Sequence, residues 1–449
     1  MIRSPLLDDP AAAWSPYDPA TDGSWDRSRV AHLHRRAGFT ASWPVLQRDL
    51  NDGPQASVDR LLAGEPTGAD GQSAADQDAM MNVMATQFAA TNNLARVQGV
   101  WLYRLIFTVN PLRERMTLFW HNHFATSNAK VANTSLMQAQ NELLRRHALG
   151  DFQVMLREMA RDPAMLAWLD CTANRKAHPN ENYAREVMEL FTLGRGRYTE
   201  VDIQQAARAF TGSFVQNDRF KDVPAQHDDG EKTILGRTGR FKGDDVATIL
   251  LEQPACAEFL CSKLYRHFVS EVDAPTPELI APLADCLRKA NYEVKAPVEM
   301  ILRSRLFFSP STRRRRVKSP VELAVGTIRA LEILKPTVSA EALAQATERM
   351  GQSLYTPPSV AGWEGGPAWI NTTTTLARSN FVLGILGKDG GLGNRFDAKK
   401  LVERHKATDQ ADFFVDLLVQ DAFDAKVRGR IRAGDPATLV MTSPEYQLA

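Results

Sequence analysis

The stretch Asn180 to Glu200, NENYAREVMELFTLGRGRYTE, limits the possible folds more than any other part of the chain. Tyr183, Ala184, Val187, Met188 and Phe191 recur at three- and four-residue steps, the spacing of one buried face of a helix. Glu181, Arg185 and Glu189, each four residues from the last, make a second row on one side of that helix, with Glu186 beside them. Gly194 and Gly196 suit a helix end, and Thr199 with Asp202 suits the capping box of the next helix. A helix, a glycine stop and a second helix therefore stand near the middle of the chain.

The same helical period continues on both sides of this unit. Between Gly212 and Gly243 it gives way to a polar, glycine-containing pattern in which Phe214, Phe220 and Phe241 are spaced as in short strands. The expected fold is mainly α, a large multi-helix unit with a small β or loop insertion around residues 212–243. Residues 1–26, rich in Pro, Asp and Ala, predict an extended arm. Residues 27–385 predict the helical core, with a mobile loop over Glu65–Asp78 and one long helical pattern over Ala79–Val109. The glycine-rich Lys388–Arg395 sets off a helical tail, residues 396–449, that packs on the core.

Bulk composition excludes several classes. A net charge of +1 gives no electrostatic case for nucleic acid. No eighteen-residue apolar run occurs, so no membrane span is expected. Cys171, Cys256, Cys261 and Cys286 lack the spacing of a disulfide framework or a metal knuckle. The first residues carry acids and prolines where a secretory leader needs an apolar run, which predicts a cytoplasmic location.

Candidate chemistry lies in four places. FWHNHF places His121 and His123 among large apolar residues; an extended chain there would put both rings on one face, and a helix would separate them. HDDGEKTILG adds His227 and Asp228. These four are the candidate metal ligands, for Zn, Mn or Fe. Glu181, Glu186 and Glu189 are candidate bases or further ligands, and Arg185 a candidate anion holder, in a metal-dependent hydrolase or transferase. Trp363, Trp369 and Arg378 are candidate substrate-binding residues. The alternative is a non-catalytic helical scaffold for a protein partner or polysaccharide. There the same polar residues would fix helix register, and the tryptophan loop with Arg313–Arg316 would form the binding surface. His32 and His34 read as packing or surface histidines.

Taken together, HLHRRAGF, FWHNHF, NENYAREVMELFTLGRGRYTE with AARAFTG, HDDGEKTILG, VKSPVEL and PPSVAGWEGG with AWIN resemble a large bacterial family, domain of unknown function 1800. The resemblance spans about Val30 to Gln447. It implies a predominantly helical protein, often encoded beside a sulfatase-like partner family, and brings no established reaction. Many members of that family carry leader segments. At Ser213 the family tends to place a tryptophan, a departure that removes an aromatic wall there.

Overall fold

Helices begin where the sequence offers a cap. Thr199 and Asp202 form the expected capping box of helix Glu200–Ala209, and Ser319 with Glu322 forms another ahead of Pro320–Ala330. The computed structural model describes residues 4–449 except 69–70, 172–173, 336, 388–391, 394–395 and 421–422. The chain is 61% helical, and its strands form two small two-stranded sheets among the described residues.

Both sheets lie in the expected insertion. Ser213–Gln216 pairs antiparallel with Arg219–Asp222 in the register Ser213↔Asp222, and Lys232–Ile234 pairs with Arg237–Gly239. Asn217 and Asp218 both have positive φ, as do Leu235 and Gly236. Two consecutive positive-φ residues are the turn whose twist matches a tight hairpin.

Apolar side chains collect in two core clusters. One gathers Phe152, Met155, Val187, Phe191, Leu260, Phe268 and Phe307; the other gathers Trp101, Leu105, Leu323, Ile328, Tyr355, Phe414 and Val440. Helices Arg27–Ala37 and Pro111–His123 stand between them and feed both. Leu33 and Phe119 enter the first cluster, and Val30 and Leu118 enter the second. The HLHRRAGF and FWHNHF motifs thus form the partition of the molecule, so any charge they carry inward is held between two apolar bodies.

Three expectations are corrected. Within the arm expected over residues 1–26, residues 5–14 are not extended: Pro5–Asp8 is a 3₁₀ turn, Pro10–Trp14 is helical, and Trp14 and Tyr17 are buried. Asp9 caps this helix at the Ala12 N–H, and Pro10 suits its first turn, so the Asp-Pro pair starts a helix. The long pattern over Ala79–Val109 is two helices, Ala74–Ala89 and Leu94–Phe107, parted by Asn92 at positive φ and the cap Asn93. The loop expected over Glu65–Asp78 is therefore shorter, with its residues 69–70 outside the described residues, as is most of Lys388–Arg395. Helices Ala398–Arg404, Gln410–Leu418, Ala425–Ala433 and Pro436–Met441 place Phe414, Val440 and Met441 in the second cluster.

Candidate functional site

The FWHNHF helix runs unbroken through His123, so its two histidines diverge. His121 Nε2 accepts the Tyr355 N–H at 3.1 Å, and its ring lies among Trp101, Tyr355 and Trp363. Burial holds its pKa at about 3. His123 Nε2 faces the Phe191 carbonyl at 3.1 Å and its Nδ1 faces Lys263 Nζ at 3.2 Å. Between them Asn122 clamps the glycine-rich loop: its Oδ1 accepts Trp363 N–H at 2.7 Å and its Nδ2 donates to Trp363 O at 3.2 Å.

One side of this helix makes a polar seam with helix Pro254–Phe268. Arg115, Phe119 and His123 repeat every fourth residue, as do Phe259, Lys263 and His267, and the two rows meet head to tail. Arg115 Nε donates to His267 Nε2 at 3.0 Å, the Phe119 and His267 rings are 5.1 Å apart, and His123 meets Lys263. The seam ends on the central helix. There Val187–Thr192 is π-helical, with Leu193 N–H bonded to Met188 O, five residues back. The wider turn presents the carbonyls of Leu190 and Phe191 to Lys263 and His123.

At its other end the seam opens into buried charge. Arg36, Arg115, Arg316 and Glu322 are all buried, and Glu271 is nearly so. Arg115 pairs with Glu322, Arg316 Nε lies 3.0 Å from Glu271 Oε1, and Arg36 donates to the carbonyls of Val269 and Thr312. Burial alone would raise the Glu322 carboxyl, but Arg115 and Arg316, with the Ser319 N–H, outweigh it and hold it at about 2. Burial, then the three guanidiniums, keeps His267 neutral. Burial, with Arg266 adding to it, lowers Lys263 to about 8.

The other predicted residues lie elsewhere. His227 Nδ1 donates to the Thr211 carbonyl at 2.9 Å, and Asp228 makes a two-pronged pair with Arg208 at 2.7 and 3.2 Å, which holds its carboxyl at about 2. The four expected metal ligands thus take separate partners. No group of three His, Cys, Asp or Glu side chains suited to a metal occurs among the described residues. The acidic row faces outward: Arg185 bridges Glu181 and Glu200, and Glu189 takes Arg195 and the Tyr198 hydroxyl. Such solvent-screened pairs add little to stability. Glu186 is half-buried, and burial with the neighbouring Glu189 raises its carboxyl.

Trp363 and Trp369 are buried in the loop rather than lining an open wall. Arg378 is buried and donates to Lys318 O at 2.9 Å and Gln447 Oε1 at 3.1 Å, which ties the tail to the core. The Arg313–Arg316 run turns inward, to Ser28, Val419, Ser311 and Glu271 respectively. Sequence reasoning missed Arg36, Arg115, Lys263, His267, Glu271 and Glu322. The available signals were the four-residue step in SKLYRHF and the capping box in SPVE.

The family model described as "Protein of unknown function (DUF1800)" matches residues 32–448. The chain belongs to the DUF1800 family. No curated protein and no solved structure matches it. In this DUF1800 protein the sequence motifs are the parts that interlock. HLHRRAGF supplies Arg36, FWHNHF the clamp and the seam, VKSPVEL Glu322, and GWEGG the clamped loop. No helix among the described residues is long and apolar enough to cross a membrane.

Proposed function

We propose that this DUF1800 chain is a helical scaffold that binds a protein partner, namely the sulfatase-like protein implied as its genomic neighbour. One observation supports this reading above the rest. The candidate histidines each face an internal partner, Asp228 is held by Arg208, and buried Arg115 pairs with Glu322, an arrangement that holds helices in register. The Arg313–Arg316 run and the tryptophan loop are turned inward, which leaves other surfaces for a binding face. Helix Thr372–Leu386 exposes Leu376 and Leu383, 62% and 51% exposed, two turns apart on one side. Exposed Leu439 lies on helix Pro436–Met441, which packs against it. Large apolar side chains on adjoining helices are the composition of an interface core.

Co-expression of this chain with its sulfatase-like neighbour, followed by affinity capture and gel filtration, tests the reading. The parent is expected to form a defined complex. Leu376→Asp with Leu383→Asp is expected to weaken it about tenfold or more per leucine, since each buried leucine contributes about 1.5–3 kcal/mol. Circular dichroism checks that the variant stays folded. No complex with the parent chain, or an undiminished complex with the variant, would overturn the proposal.

A further inference from the structure

Positive charge outnumbers negative charge where the two cores meet. Arg36, Arg115 and Arg316 bring three buried guanidiniums to that place, and Glu271 and Glu322 bring two carboxylates. Glu322 is shared further, because it also acts on buried Lys318 and Arg378. His267 supplies no negative charge; it accepts the Arg115 Nε–H on Nε2 and stays neutral. A charge left unbalanced in the interior is costly unless a counter-ion joins it.

The hydrogen bonds of the same arginines are a separate observation with the same sense. Arg36 Nη2 donates to Val269 O at 2.8 Å and to Thr312 O at 3.0 Å, which fixes the guanidinium. Its buried Nε and Nη1 meet no acceptor among the described residues, and neither does buried Nη2 of Arg115. A guanidinium is a donor only, so these N–H groups call for an acceptor. Arg115 and Arg316 both oppose the Arg36 charge, and all three act on Glu322 and His267, which gathers the unpaired donors in one region. Glu271 is engaged elsewhere. Its Oε1 lies 3.0 Å from Arg316 Nε, and its two oxygens lie against Gly365 and Gly366, whose Cβ positions would be 3.4 Å away.

We propose that Arg36 and Arg115, with Arg316 beside them, hold one small monovalent anion of halide size between the two cores. One negative charge balances three guanidiniums against two carboxylates. Small size follows from burial: Arg36 and Arg115 are each 0% exposed, which leaves no opening for the rest of an organic acid. The Glu271 side chain keeps 16% of its exposure, so the ion exchanges with solvent on that side. No covalent step is involved. The site uses neither the leucine surface nor a partner, so it stands or falls apart from the scaffold reading.

Chloride NMR line widths test it on the intact chain at fixed ionic strength, with gluconate replacing chloride and bromide as competitor. The parent is expected to broaden the chloride line saturably, and bromide to remove that broadening. Arg36→Gln is expected to abolish it. Glu271→Gln keeps the shape of the side chain and removes a negative charge near the ion, so it is expected to tighten chloride about tenfold. Circular dichroism checks both folds. Broadening that does not saturate in the parent, or that both variants leave unchanged, would overturn the site. Phosphate displacing chloride as readily as bromide would overturn the halide size. Should Arg36→Gln fail to fold, the parent titration and Glu271→Gln still decide.

Discussion

Glu322→Gln is expected to destabilise this protein by about 3–5 kcal/mol at neutral pH, because removing one member of a buried ion pair leaves the others uncompensated. Glu322 stands between Arg115 and Arg316, with Arg36 close enough to act on its charge, and it also accepts the Ser319 N–H at 2.7 Å. The amide keeps the shape and loses the charge. Three guanidiniums then share Glu271 alone. The same carboxylate sets an acid limb. Its folded pKa of about 2 lies below the ordinary 4.5, so its stabilisation is fully present above pH 4.5 and is lost as pH falls toward 2. That contribution is on the order of 3 kcal/mol. Urea unfolding at neutral pH and near pH 3 reads both effects: the variant is weaker than the parent at neutral pH, and the gap narrows in acid. A loss below about 1 kcal/mol at neutral pH would mean that the cluster is not what joins the two cores.

Gly362→Ala is the second large effect. Gly362 has φ +79°, and a Cβ there would fall 2.2 Å from Asn122 Oδ1 and 2.6 Å from the Asn122 carbonyl oxygen. The left-handed backbone costs about 1–2 kcal/mol, and displacing Asn122 costs both hydrogen bonds to Trp363, for about 3 kcal/mol in all. The expected result is a lower Tm together with increased solvent exposure of Trp363, read by fluorescence quenching. An unchanged Tm would show that the loop is not held by this clamp.

The sequence made the helices legible and much of the site illegible, for a physical reason. Helix identity rests on local signals such as the Tyr183 to Phe191 stripe and the Thr199–Asp202 box, and the two hairpins rest on short turns at Asn217–Asp218 and Leu235–Gly236. A partner across the fold leaves no such local mark. His121 meets Tyr355 and Arg115 meets Glu322, each separated by more than two hundred residues. The Arg313–Arg316 run misleads because four adjacent arginines resemble a solvated loop, while Arg316 is held inside by two acids that lie apart in sequence. The acidic row of the central helix was legible as a row, but its direction was not: the core stripe turns Glu181, Arg185 and Glu189 toward solvent. At Phe124 the polar residues that follow suggested an extended chain, yet the helix continues through His123 because Leu112, Met116, Phe119 and Trp120 all bury on its inner side.

The central claim is that the polar motifs hold helices together rather than assemble a metal centre. Elemental analysis of the untagged chain after incubation with Zn, Mn and Fe, beside thermal unfolding of a His121→Ala, His123→Ala variant, tests it most directly. The account predicts no stoichiometric metal in the parent and a lower Tm in the variant, because the Tyr355 N–H and the Phe191 carbonyl lose their partners. Near-stoichiometric metal in the parent, lost from a variant that stays folded, would contradict it.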